Sequence, residues 1–233
     1  MSFIVFKKVT KEYLTGKQNI KALSNIDFCI EQGTFTCILG PSGSGKTTIL
    51  NLLGGMDRAT SGNIFVDGRE ITNLSDEQLT NYRRTDVGFV FQFYNLIPNL
   101  NAYENVAISA YLSHNPLDPK EMLEAVGLSN RAKNFPAEMS GGELQRTAIA
   151  RALCKNPKIL LCDEPTGALD SETGKNILQL LQDMAHKKGK TVIVVTHNAA
   201  IVPAADRVIH LKDGRVVQIE DHEQPIPMEK VVW

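Results

Sequence analysis

Gly40-Pro41-Ser42-Gly43-Ser44-Gly45-Lys46-Thr47 is the stretch on which the reading of this chain turns. It follows an apolar run, Thr34 to Leu39, and leads into a helix-like run, Thr47 to Leu53, so the octet lies between strand and helix, where a phosphate loop belongs. Glycines carry no Cβ, so consecutive backbone N–H groups can turn toward one anion, and the following helix adds its positive end. In this geometry Lys46 reaches the β- and γ-phosphates, the Thr47 hydroxyl holds Mg2+, and Thr48 comes near the α-phosphate. The spacing implies a nucleoside triphosphate ligand.

Further along, Ile159-Leu160-Leu161-Cys162-Asp163-Glu164 reads as a buried strand ending in two carboxylates. An apolar strand that projects an aspartate from its C-terminal edge beside a phosphate loop supplies a partner for Mg2+, which assigns Asp163 to the metal. Glu164 points elsewhere by strand alternation and is placed to polarise an attacking water as general base. Ser140-Gly141-Gly142-Glu143-Leu144-Gln145-Arg146 opens a helix whose apolar stripe is Leu144, Ala148 and Ala152. Ser140 and Glu143 have capping-box spacing, so a well-capped helix start is one reading. Two glycines in a first turn cost roughly 1 kcal/mol each against alanine. That cost has a use if a phosphate must approach the exposed N–H groups. The loop already occupies one side of the nucleotide, so a second anion-binding helix start points to a site shared between two copies of the chain.

The 233 residues, 42% of them hydrophobic, suffice for one domain, or for a core with a subdomain. A formal net charge of −1 argues against binding nucleic acid through bulk positive charge. The longest apolar stretches are strand-length, short of the ~20 residues that cross a bilayer. Met1 to Lys8 alternates like a strand and lacks the pattern of a secretion signal, which predicts a cytosolic chain. Cys29, Cys37, Cys154 and Cys162 form no C-x-x-C pair and read as reduced, buried thiols. Strands are predicted at Phe3 to Val9, Leu23 to Ile30, Thr34 to Leu39 and Asn63 to Val66, with turns at Glu31-Gln32-Gly33 and Asp67-Gly68. A capping box at Ser75 to Gln78 opens a helix ending near Arg84, and Val87 to Phe91 reads as a strand buried on both faces. Helical signals then fill Asn101 to Leu112, Pro119 to Val126 and Gly141 to Leu153. After them come a strand at Lys158 to Cys162, a helix at Ser171 to His186 and a strand at Thr191 to Thr196. That order predicts a parallel sheet with crossover helices. Arg207 to Leu211 and Arg215 to Ile219 form a last hairpin through Lys212-Asp213-Gly214, and the stretch after it, acidic and then proline-bearing up to Val231-Val232-Trp233, reads as a loosely held tail.

The motifs, in this order, resemble the nucleotide-binding subunits of ABC transporters from about Phe3 to about Ile219. The resemblance implies an α/β P-loop NTPase: a RecA-like parallel-sheet core, an N-terminal antiparallel β-subdomain and an inserted helical subdomain at about 93–155. It gives one ATPase domain over 1–219 and a tail over 220–233. It also assigns roles. Gln92 matches the loop that contacts metal and catalytic water, Met139-Ser140-Gly141-Gly142-Glu143 the signature, Ala168-Leu169-Asp170 the loop facing the second copy, His197 the switch histidine and Tyr13 the aromatic that stacks on adenine. On their own chemistry, Gln92 is a strand-end amide, Asp170 a helix cap with Ser171 as rival, His197 a polar loop residue and Tyr13 a core aromatic. Met139 and Glu143 depart from the usual Leu-Ser-Gly-Gly-Gln, and Ala168 stands where asparagine is usual.

Leu53 to Asp57, Gly88 to Gln92 and Asp163 to Ser171 resemble the macrolide-export and lipoprotein-release branch. What this implies is an ATP hydrolase using ATP and Mg2+, paired head to tail with a second copy and driving a separate transmembrane permease from the cytoplasmic face of the membrane. The cargo class is peptides, antibiotics or lipoprotein-like amphiphiles moving outward, with no nucleic acid, and with an adaptor outside the cell left open. The alternative is a regulatory ATPase similar to the cell-division ATPase, which signals through a membrane partner and moves no cargo.

Overall fold

The structure is a computed structural model and describes residues 2–16 and 18–231. Strand β3 (Phe35–Leu39) is the centre from which the rest is placed. It pairs in parallel with β8 (Thr191–Thr196) on one side and β9 (Arg207–Lys212) on the other. The sheet continues through β7 (Ile159–Asp163) to β6 (Val87–Val90), again in parallel, and ends at the far edge with β10 (Arg215–Asp221) antiparallel to β9. Every residue of β7 and β8 is buried, as expected of strands covered on both faces. The β9–β10 hairpin turns on Asp213 and Gly214, at φ 48° and 70°, which is the left-handed pair a tight two-residue turn requires.

A second, antiparallel sheet runs in the order β2 (Gln18–Glu31), β1 (Ser2–Thr15), β4 (Ser61–Val66), β5 (Arg69–Glu70). Phe6 and Ile64 from it pack with Ile38 and with Leu50 of α1 (Lys46–Leu53) into one apolar core. A second core holds Phe35 from the opposite face of β3, with Ile149 of α5 (Gly141–Cys154) and Leu181 of α6 (Ser171–His186). Helix α2 (Asp76–Thr85) precedes β6, and its predicted capping box is formed, Ser75 Oγ accepting from Gln78 N–H. Between β6 and β7 the chain makes α3 (Ala102–Ala110), α4 (Pro119–Ala125) and α5.

Several sequence expectations are corrected. β1 and β2 are each 14 residues long, well beyond Phe3 to Val9 and Leu23 to Ile30. Register shifts between Phe6 and Val9 and between Val9 and Lys11 break the alternation, with Lys8 and Asn25 at φ 49° and 50°. A two-residue period therefore fades where the strand itself does not. β6 lies at the edge of its sheet with Val87, Gly88 and Val90 buried as expected, while Phe89 is half-buried and stacked on Phe91 at 4.1 Å between ring centroids. The loosely held tail is also overturned: the boundary after Ile219 falls inside β10, and the segment beyond it is fastened to α6. The buried Gln182 carboxamide donates to Ala204 O at 2.9 Å and Ile226 O at 3.0 Å and accepts from Met228 N–H at 3.1 Å. Met228 and Val231 are buried. The polar, proline-bearing composition hid two apolar anchors whose receptor lies far upstream in the chain. Val232 and Trp233, which complete the apolar triplet, lie outside the described residues. The four cysteines are free thiols: Cys37, Cys154 and Cys162 are buried and Cys29 is half-buried.

Candidate functional site

The octet occupies the turn from β3 into α1, at the C-terminal edge of the parallel sheet. Gly43 and Gly45 take φ 77° and 103°, conformations that side-chain-bearing residues rarely adopt. A Cβ on Gly45 would also meet Ala22 O at 2.7 Å, so the loop can lie this close to β2 only without one. Lys46 reaches back across the loop, its Nζ donating to Gly40 O at 2.7 Å and Pro41 O at 3.0 Å. Ser44 Oγ is buried with no hydrogen-bond partner among the described residues.

Above the loop opens a cleft of about 750 Å³. Residues 42–48 line it, together with Gln92, Asp163, Glu164 and His197, so the structure brings together the residues singled out from the octet and from the ends of β6, β7 and β8. Thr47 Oγ1 donates to Asp163 Oδ2 at 2.9 Å. Burial pushes the Asp163 carboxyl above its usual range, with Glu164 adding to the rise, while Thr47 and Lys46 pull the other way. Glu164 departs from Asp163 because its backbone is left-handed at φ 48°, its N–H bound to Val195 O at 3.0 Å. Its two carboxylate oxygens face Thr196 Oγ1, which donates at 3.0 Å, and His197 Nδ1 at 2.9 Å. Thr196 was not singled out from the sequence; its only signal was a strand-end hydroxyl next to His197.

Other sequence-predicted residues, Gly40 and Pro41 among them, are outside the lining of the cleft. Tyr13 is not in its lining: the phenol donates to Asp57 Oδ2 at 2.8 Å and Lys11 Nζ lies 4.6 Å from the ring centroid. Burial, then Asp57, raises its pKa. Ile20, Lys21 and Ala22 of β2 line that end of the cleft instead. Asp170 caps α6 by accepting from Thr173 N–H at 2.9 Å, which settles its rivalry with Ser171 for that cap. Ser140, Gly141, Gly142 and Glu143 stand outside the cleft's lining, although Gln145, one turn further along α5, is part of it. The capping box is complete: Ser140 N–H donates to Glu143 Oε2 at 2.8 Å and Glu143 N–H to Ser140 Oγ at 3.3 Å. Glu143 Oε1 also pairs with Arg131 Nε at 2.9 Å. The Ser140 N–H leads in holding this carboxyl below its usual range.

The signature glycines have close neighbours within the chain. A Cβ on Gly141 would meet Tyr94 Oη at 3.0 Å, and one on Gly142 would meet Leu169 Cδ2 at 3.3 Å. The buried face of α5 also differs from the predicted stripe, since Leu144 is half-buried while Gln145 and Ile149 join Ala148 and Ala152 inside. Gln145 has its Nε2 without a partner among the described residues. It does not belong to the apolar stripe predicted for this helix.

Residues 23–167 match the family model described as ABC transporter. The chain is 45% identical over 226 residues to the uncharacterized ABC transporter ATP-binding protein MJ0796 of Methanocaldococcus jannaschii, covering 93% of this chain and 96% of that protein. It is 42% identical over 237 residues to the macrolide export ATP-binding/permease protein MacB of Mannheimia succiniciproducens, a match covering all of this chain but 36% of that protein. The dimeric post-hydrolysis structure of the ATP-binding cassette MJ0796 bound to ADP and Pi superposes with a TM-score of 0.89 at 43% identity, covering 94% of this chain and 98% of that one. With a phosphate loop at the sheet edge, a carboxylate on its threonine and a second carboxylate beside a histidine, the chain belongs to the ABC transporter family as an ABC-type ATPase.

Proposed function

We propose that the chain is the ATP-hydrolysing subunit of an exporter, working as a pair of copies that sandwich two nucleotides and drive a separate membrane permease. The observation that carries this is the placement of Ser140. It caps the positive end of α5, yet neither it nor Gly141 and Gly142 lines the cleft of its own chain, while the other phosphate-binding elements do. A second copy turned head to tail would bring that helix start to the open side of the triphosphate. The solved dimer of the MJ0796 cassette supports this arrangement.

In the pair, Lys46 and the loop N–H groups would hold the β- and γ-phosphates, and Ser140 with the first-turn N–H groups would close on the γ-phosphate from the partner. Glu164, with Thr196 and His197 fixing its two oxygens, is set to orient and deprotonate the attacking water. Asp170 would act across the pair while remaining the cap of α6. Mg2+ fits the donors present. Thr47 and Asp163 offer oxygen only, the buried Asp163 carboxylate gains from a cation beside it, and among the described residues no group of three His, Cys, Asp or Glu could cage a metal by itself. That is the habit of a Mg2+ that takes its remaining ligands from phosphate and water, and Gln92, which lines the same cleft, would be a further oxygen donor. When bound it would neutralise charge developing on the β- and γ-oxygens.

The permease would dock on the block between β6 and β7, through Phe93 and Ile97, both exposed, and Leu96 between them. The chain spans about a third of MacB, whose name joins ATP-binding and permease parts. The present chain corresponds to the ATP-binding part, and among its described residues no helix is long and apolar enough to cross a membrane. This reading places it against the cytoplasmic face, with peptides, antibiotics or lipoprotein-like amphiphiles as cargo. The test is Glu164→Gln: blocking hydrolysis while sparing binding should give an MgATP-dependent dimer on a sizing column, and a protein that stays monomeric at saturating MgATP rejects the sandwich.

A further inference from the structure

One buried polar side chain of α5 stands on a face that is otherwise apolar or glycine. Gln145 is 1% exposed, and Ala148, Ile149 and Ala152, one and two turns further along, are buried beside it. Its Nε2 is shut off from water and has no hydrogen-bond partner among the described residues. The residue borders the cleft together with Glu164, Gly167 and Ala168. An unpaired amide donor in such a place costs stability, whereas an apolar side chain of the same shape would cost little or none. The glutamine therefore has its use in a state where the amide meets an acceptor.

The turn that joins β7 to α6 offers one. Gln145 follows Gly142 by three residues and Gly141 by four, so the three share a face of the helix. That face lies on the turn: a Cβ on Gly141 would meet Ala168 Cβ at 3.9 Å, and one on Gly142 would meet Ala168 O at 3.4 Å. Two carbonyls of the turn are used within it, Glu164 O accepting from Gly167 N–H and Thr166 O from Leu169 N–H, both at 3.1 Å. Ala168 O faces α5 instead. Glu164 opens the same turn at φ 48°, a left-handed conformation that a side-chain-bearing residue keeps only where its surroundings hold it.

We propose that Gln145 is a positioning residue for hydrolysis: when nucleotide fills the cleft, its Nε2 donates to Ala168 O and fixes the turn behind Glu164. Donor and acceptor belong to residues that border one cleft, so a ligand that draws its walls together closes the gap between them. With the turn fixed, the Glu164 carboxylate keeps its aim at the attacking water, and a small misplacement there is felt in the chemical step rather than in binding. The proposal rests on Glu164 being the base.

The experiment pairs thermal melting with steady-state hydrolysis for Gln145→Met, which keeps the length of the side chain and removes its polar end. Without nucleotide the variant melts at or above the parent, by up to about 4 °C. With MgATP its kcat falls about fivefold or more, while MgATP affinity in a calorimetric titration stays within about twofold of the parent. A glutamine that only packs would not separate these readings. A variant that melts below the parent, that fails to fold, that loses less than about fivefold in kcat, or that loses affinity in step with rate overturns the proposal. The reading of Glu164 as the base fails on a different result, a Glu164→Gln protein that hydrolyses ATP at the parent rate.

Discussion

Lys46 folds its ammonium onto Gly40 O and Pro41 O, so a triphosphate arriving in the cleft replaces two neutral acceptors with charged ones. Charge-assisted bonds are roughly twice as strong as neutral ones, and losing this cation should cost about 2–3 kcal/mol of binding. Lys46→Ala is therefore expected to weaken MgATP about 30- to 150-fold in a calorimetric titration, and intact affinity would contradict its role. Its position could be read from the sequence because the octet fixes every relevant residue within one turn. Asp163 and Glu164 could be read for a related reason: a buried strand must end, and its last side chains face the loop beside it. Thr196 and Gln145 could not. Their meaning depends on which strand and which helix pass beside them, and no local spacing encodes that.

In the proposed pair, helix α5 would serve two surfaces with its first turn. Inside the chain, Gly141 and Gly142 admit Tyr94 and Leu169 at close range; outward, the same turn would meet a phosphate from a second copy. The sequence raised the cost of the two glycines but offered only the outward reason for it. Alanine at Gly142 would gain roughly 1 kcal/mol of helix propensity and lose a similar amount to the 3.3 Å approach of Leu169 Cδ2. Gly142→Ala should thus melt within a few degrees of the parent yet lose about tenfold or more in ATPase rate, measured as phosphate release. A variant that keeps both stability and rate would remove the first turn from the site. Glu143 illustrates the same limit of sequence reading. Glutamate where the family usually has glutamine adds a negative charge, and Arg131 and the capping box engage both of its oxygens.

Across the whole molecule, chemistry gathers at the C-terminal edge of one sheet while the exposed apolar side chains of the β6–β7 block lie outside the cores. Element order, the parallel sheet and the inserted helices were all legible, since hydrophobic period and capping signals are local. The docking of residues 222–231 on α6 was not, because it depends on Gln182, which only the folded chain brings within reach. Phe93 and Ile97 are among the exposed large apolar side chains of the chain, and an aspartate at the half-buried Leu96 between them should spoil an apolar seat without touching the cleft. Leu96→Asp is expected to keep its basal ATPase rate within about twofold but to lose co-purification with its membrane partner, and unchanged co-purification would reject that seat.

Three of the four thiols of this protein are sealed away. Burial drives the thiols of Cys37, Cys154 and Cys162 toward the neutral, unreactive form, and only Cys29 sits where reagent can approach. Alkylation at neutral pH therefore counts opened molecules: a shut chain offers one slow target, and each further label marks a core that has come apart.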